Sequence, residues 1–155
     1  MSDAFETQFI TAADKPALLG LSDPGWIDEA RRALRDLGYK SHVATTHSEF
    51  SARFSQVRYQ VVLVGELFCA AKPEENLTLK WLQMMPVNQR RHATIILIGN
   101  SFKTFDPMQA FQQSVHAVIN GAEVPMLKQL IEKAVTENDL FLFSFRDVQK
   151  RIASL

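Results

Sequence analysis

Few residues in this chain have side chains suited to chemistry, and they are widely spaced. Two carboxylates, Asp23 and Glu66, each follow a short apolar run. A pair of acids so placed could hold a divalent ion or divide acid and base roles between them. Ser22 precedes Asp23, Gly65 precedes Glu66, and Gly99 and Asn120 close two further apolar runs, so these six positions form the candidate site. The histidines are less suggestive. His42, His47, His92 and His116 make no i to i+4 pair and have no carboxylate at ligand spacing, which reads as surface or locally satisfied imidazoles. Cys69 is the only cysteine, so an internal disulfide and a cysteine-rich zinc site are both excluded. It is expected to be a partly buried thiol, with a redox or ligand-contacting role as the alternative. There is no phosphate loop, dinucleotide glycine fingerprint or Gly-x-Ser-x-Gly elbow. The expectation is therefore a protein that is not an enzyme, with no cofactor and no dedicated metal site.

Composition narrows the partners. The 155 residues are 46% apolar, 22% charged and 10% aromatic, as in a single globular domain. Seventeen basic residues balance seventeen acidic ones, so the chain has no net charge with which to attract nucleic acid or anionic lipid over long range. Arg90, Arg91 and His92 form a short basic cluster that reads as a solvated loop. The apolar runs, such as residues 61–64 and 94–98, fall far short of the roughly 18 residues of a membrane span. Asp3 and Glu6 near the start do not resemble a signal peptide, and with one cysteine a cytoplasmic protein is the expectation.

The elements that must position these residues are legible from apolar spacing. Residues 17–21, 41–45, 61–64 and 94–98 read as strands buried on both faces, and Val118 and Ile119 offer a weaker fifth. Ile27, Ala30, Leu34 and Leu37 mark a helix capped by Asp23, begun by Pro24 and stopped by Gly38. Phe50, Phe54 and Val57 predict a second helix. Leu77, Trp81 and Met84 predict a third, ended by Pro86, and Met108, Phe111 and Val115 a fourth, opened by Asp106 and Pro107. Strand and helix alternate five times, which predicts an α/β fold: a doubly wound, five-stranded parallel sheet covered on both faces.

The last helix differs in kind. Leu127, Ile131, Ala134, Asn138, Phe141, Phe145, Val148, Ile152 and Leu155 recur by steps of four and three for about four heptads, the length of a coiled-coil seam. One reading is an extended C-terminal helix that pairs two copies, with Asn138 setting the register. The other is a break near Asn138 and Asp139, with a short helix folding back over Phe141, Phe143 and Phe145. The expected organisation is an N-terminal extension over 1–15, a domain over 16–137 and a helical extension over 138–155. In the first of these Phe5, Phe9 and Ile10 fit a turn of helix or an edge strand equally well.

Four segments carry a family resemblance: Leu18-Leu19-Gly20-Leu21-Ser22-Asp23-Pro24, Leu34-Arg35-Asp36-Leu37-Gly38-Tyr39, Tyr59-Gln60-Val61-Val62-Leu63-Val64-Gly65 and Thr94-Ile95-Ile96-Leu97-Ile98-Gly99. In order and spacing the chain resembles the receiver domain of two-component response regulators, over about residues 17–136. The resemblance implies the receiver, flavodoxin-like build, and it implies that the phosphorylation pocket is degenerate. The family's magnesium-holding acidic pair falls on Leu21 and Ser22, with Asp23 one place later. Its phosphate-accepting aspartate falls on Gly65, beside Glu66. Its hydroxyl residue falls on Gly99, its lysine near Asn120 and the following proline on Gly121.

Asp23 then reads as a helix cap. Glu66 reads as a solvated loop residue, as a stand-in for phosphoaspartate charge, or as a metal ligand or phosphoacceptor. Phe102, Phe105 and Phe111 surround the start of the fourth helix, where active receivers hold a switching aromatic. The implied function is a pseudo-receiver in signal transduction, working through a protein partner or a homodimer without phosphorylation. The rivals are a ligand- or metal-sensing domain using the strand-end pocket, and a flavodoxin-like enzyme with Asp23 or Glu66 as acid or base.

Overall fold

A computed structural model describes residues 10, 11 and 13–154, with the side chains of Phe145 and Arg146 outside that description. Phe5, Phe9 and Leu155 also lie outside it. Five strands form, β1 Pro16–Gly20, β2 Lys40–Val43, β3 Val61–Gly65, β4 Thr94–Gly99 and β5 Ala117–Asn120. They pair in parallel in the order β2-β1-β3-β4-β5. The helices are α1 Pro24–Asp36, α2 His47–Gln56, α3 Leu77–Met84, α4 Val87–Arg90, α5 Pro107–Gln113 and α6 Leu127–Ala153.

Alternate side chains of each strand serve two cores. Ala17, Leu19, Leu63, Ile96, Ile98 and Ile119 pack under α1 and α6, while Leu18, Val62, Val64, Ile95, Leu97 and Val118 meet Phe50, Phe54, Phe68 and Leu82 on the other face. Each such fully buried aliphatic side chain contributes about 1.5–3 kcal/mol. This two-sided burial is why the strands read as unbroken apolar runs. Gly38, at φ 87°, supplies the left-handed residue that ends α1, and the Tyr39 amide donates back to Leu34 O at 2.8 Å.

Several expectations are corrected. In α3 the inward residues are Thr78, Leu79 and Leu82, whereas Leu77 is exposed, Met84 is 85% exposed and Trp81 is half-buried. The helix starts one turn under Asn76, whose side chain accepts from the Leu79 amide and sets the rotation. In α5 only Ala110 is buried, and Met108 and Phe111 face solvent. Ser114, at φ 56°, ends that helix and turns Val115 back toward the core. A short helix, α4, follows Pro86 where no element was expected.

The fold-back is not adopted. α6 runs as one helix for 27 residues, about 40 Å. Leu127, Ile131 and Ala134 cover the sheet and Asn138 is buried, its Nδ2 donating to Thr94 Oγ1 at 3.0 Å. Asn138 therefore docks the helix on its own sheet and is not a polar residue of the free seam. Beyond it Phe141, Val148 and Ile152 are exposed on the continuation of the same stripe. Among the described residues no helix is long and apolar enough to cross a membrane.

His42 is the locally satisfied kind of imidazole and not the surface kind: it is buried, with Nδ1 hydrogen-bonded to Tyr59 OH at 2.7 Å. Burial, aided by the charges of Arg53 and Lys40, pushes its pKa down to about 4, and burial pushes Tyr59 up to about 12. The ring is thus neutral when folded and free to protonate when unfolded, so the unfolded state binds more protons below pH 6.5. Stability is complete above that pH and is lost as pH falls towards 4, by about 2 kcal/mol at pH 5 from this group alone. Urea unfolding at pH 7 and pH 5 measures the loss, and the His42 ring resonances should stay those of a neutral imidazole throughout that range.

Candidate functional site

The chain leaves β1 for β2 on one side and returns to β3 on the other, so a crevice opens where β1 and β3 end side by side. It encloses about 200 Å³ and brings together Ser22, Asp23, Gly65, Glu66 and Gly99, together with Trp26 and Asn100. Asn120 is not among the lining residues.

Each side chain there already has an assignment. Asp23 Oδ1 accepts from the amides of Gly25 at 2.8 Å and Trp26 at 3.2 Å, capping α1 as its position predicts. Ser22 Oγ accepts from the Cys69 amide at 3.1 Å. Cys69 is exposed, not partly buried, and holds a left-handed φ of 52°, with its thiol directed at Thr45 O. These bonds tie the loop after β3 to the loops after β1 and β2.

Glu66 is not a solvated loop residue. Its carboxylate folds across the end of β4, and the Ser101 hydroxyl sits 2.6 Å from both oxygens, donating one hydrogen to the pair. Gly99 makes this possible. A methyl group there would lie 2.7 Å from both Glu66 Cβ and Oε1. Gly121 likewise sits beneath Asn100 and the Trp26 ring, where a Cβ would collide with both.

Asn120 serves the loop below. Its Nδ2 donates to Phe102 O at 2.7 Å and its Oδ1 accepts from the Ala122 amide at 2.8 Å. Phe102 is buried in that loop, Phe105 is partly buried beneath Lys133 Nζ at 4.4 Å from the ring centre, and Phe111 points outward.

Besides Trp26 and Asn100 in the lining, two residues that fasten the site escaped sequence reasoning. Asn76 is fully buried and its Nδ2 donates to Gly65 O and Glu66 O, both at 2.9 Å. Ser101 lies two residues past the position where a hydroxyl was sought. An Asn four residues after Lys72 and just before an apolar helix is a cap signal, so Asn76 was findable as a cap though not as a clamp on β3. The remaining imidazoles stay apart: His47 Nδ1 is 2.9 Å from Thr78 Oγ1, and His116 Nδ1 accepts from the Ile95 amide at 2.9 Å. His92 has both ring nitrogens shielded and without a hydrogen-bond partner among the described residues, and burial lowers its pKa. No group of three or more His, Cys, Asp or Glu is placed to share a metal ion among the described residues.

No protein-family model matches the chain, nor does any curated protein. Solved structures do. NtrX from Brucella abortus matches at a TM-score of 0.62 and 16% identity over 88% of this chain and 29% of that one. The signal receiver domain of a LuxO repressor protein from Vibrio parahaemolyticus matches at 0.62 and 12% over 84% of this chain and 97% of that one. HP1043, an orphan response regulator of H. pylori, matches at 0.58 and 13% over 81% and 99%. This is the receiver fold. The positions that the sequence resemblance sets against the family's phosphorylation pocket lie at the ends of β1, β3, β4 and β5. Those ends carry Ser22 and Asp23, Gly65 and Glu66, Gly99, and Asn120 here.

The packing of Glu66 on Gly99 gives a direct test. Gly99→Ala should cost about 1–3 kcal/mol through overpacking, and Glu66→Ala in the same chain should restore most of it. A double-mutant cycle by urea denaturation checks this; additive losses would mean that Glu66 does not lie on Gly99.

Proposed function

We propose that this chain is a signalling domain of pseudo-receiver type, not an enzyme, which works through protein contact without being phosphorylated and self-associates through the distal half of α6. The observation that carries the reading is the state of the strand ends. Glycines stand at both the phosphoacceptor and the hydroxyl positions. The neighbouring carboxylate is held by Ser101 over Gly99, and an asparagine engaged by its own loop stands in place of the cation.

Electrostatics supports it. An acyl phosphate needs a carboxylate nucleophile, a metal ion and a cation beside it. The crevice has no basic residue in its lining, and two like unit charges 4 Å apart repel by about 4 kcal/mol at an effective dielectric of 20. A phosphoryl group beside Glu66 would meet that repulsion. Glu66 itself supplies a fixed negative charge linking the loops after β3 and β4, a partial stand-in for a phosphoryl group that needs no kinase.

Self-association draws on α6. Its stripe continues from the buried Leu127, Ile131 and Ala134 to the exposed Val148 and Ile152 without an interruption of the helix, so the apolar seam has a buried half and a free half. A second reading, small-ligand sensing in the crevice, is favoured by its volume of about 200 Å³ and by the Trp26 ring on its wall.

Two experiments decide. In an amide NMR titration with magnesium and then beryllofluoride, we expect no shifts at residues 22–25, 65–69 and 99–103; saturable shifts there would mean that a phosphorylation switch survives. In light scattering, the parent chain should show a concentration-dependent mass that Phe141→Glu/Ile152→Glu reduces to that of one chain. An unchanged mass would remove the seam from the proposal.

A further inference from the structure

The edge of the sheet opposite the crevice, where β4 and β5 begin, carries a second surface. α4 lies beside the end of α5 there, fastened by Arg90 Nη1 donating to Ser114 O at 2.7 Å, and the end of α3 is tied to the same place by Gln83 Nε2 donating to Gln113 O at 3.0 Å. Between the two helices runs an open groove of about 500 Å³ lined by Val87, Arg90, Arg91, Phe111, Val115 and His116. Val87 is 60% exposed and Phe111 80%, so two large apolar side chains on neighbouring helices stand in water on the same groove.

The charge lining the groove is of one sign. None of the residues lining it is acidic. Between Glu75 and Glu123 the sequence holds one acidic residue, Asp106, against Lys80, Arg90, Arg91 and Lys103. Asp106 caps the far end of α5. No ion pair among the described residues involves Arg90 or Arg91. Arg90 Nε is shielded from water and has no acceptor among the described residues. The chain as a whole is neutral, so this basic stretch is balanced by acidic surface elsewhere.

We propose that this groove docks an acidic, amphipathic helical segment of a partner protein. Apolar side chains at helical spacing on that segment seat against Val87 and Phe111, and its carboxylates meet Arg91 and the Arg90 guanidinium. Nucleic acid fits less well, because the groove joins only two guanidiniums to an apolar floor and the chain has no net positive charge. The inference rests on the protein-contact reading above and gives it a surface and a partner class. The groove shares no lining residue with the crevice or with the α6 stripe, and the peptide titration below reads its own amides, so it succeeds or fails separately from the beryllofluoride and light-scattering experiments.

The test uses the full chain, isotopically labelled, and a synthetic helical peptide of about 16 residues with Leu at every third or fourth position and Glu between. Its counterpart carries Lys for every Glu. The expected result is saturable shifts at residues 87–91 and 111–116 with the Glu peptide only. Binding should weaken about tenfold in Arg91→Glu and in Phe111→Ser, and fall as salt rises. Both substituted side chains are exposed, and matching urea midpoints would show that the fold is kept. Equal binding of the two peptides, no binding at about 1 mM peptide, or tighter binding of a single-stranded oligonucleotide to the same amides would overturn the proposal. So would concentration-dependent shifts at these amides without peptide, which would mark the groove as a contact between copies.

Discussion

One buried amide sets the geometry on which the rest depends. Asn76 spends both Nδ2 hydrogens on the carbonyls of Gly65 and Glu66 while its Oδ1 takes the Leu79 amide. Fully enclosed, it cannot turn to water, so losing any of these partners would leave a buried polar group unsatisfied at about 1–3 kcal/mol. The end of β3 and the start of α3 are thereby one unit. That unit aims Glu66 across Gly99 rather than into solvent. It also fixes which face of α3 meets the sheet, turning Met84 outward and Thr78 inward, where Thr78 meets His47.

The polar groups around the crevice that results are engaged by bonds of their own. Ser22 holds the Cys69 amide, Asp23 holds the first turn of α1, Ser101 holds Glu66, and Asn120 holds the loop beneath Asn100. A switch needs two arrangements of similar free energy and a ligand that prefers one of them. Here the groups that would choose between them are each committed to backbone or to one another. On the proposed reading, the surface presented by α4, α5 and the last helix is accordingly held in one arrangement.

The four strands β1, β3, β4 and β5 were legible because burial leaves an apolar run with little to dilute it, and residues 61–64 and 94–98 needed no periodicity to be seen; β2, expected over 41–45 as a strand buried on both faces, is a half-buried edge strand in which only His42 is enclosed. α1 was legible because Asp23, Pro24 and Gly38 punctuate it. Short helices on a sheet were not: α3 and α5 are eight and seven residues long, and over two turns several phases of apolar spacing fit equally well. The phase was decided by Asn76 and Asp106, whose caps act on backbone amides and leave little trace in hydrophobic spacing. The site was half legible. Strand ends located Ser22, Asp23, Gly65, Glu66 and Gly99, but the direction of the Glu66 side chain depends on Ser101, thirty-five residues away along the chain. Asn120 was placed by its strand and misplaced by its side chain, since an amide can turn to any nearby carbonyl. Asn138 was misread for a related reason: a polar residue on an apolar stripe looks the same whether its partner is another helix or Thr94.

The undivided course of α6 fixes the rotational phase of its outer half. Leu127, Ile131, Ala134 and Asn138 set the orientation of the helix against the sheet, and every residue beyond inherits it at about 100° per step. Adding or removing one residue after Asn138 would swing Ile152 a quarter-turn or more away from the stripe. A change of seven would return it to within about 20°. Anything fastened to the far end is therefore held at a defined angle to the strand ends, an angle that a change in helix length keeps only in steps of whole heptads.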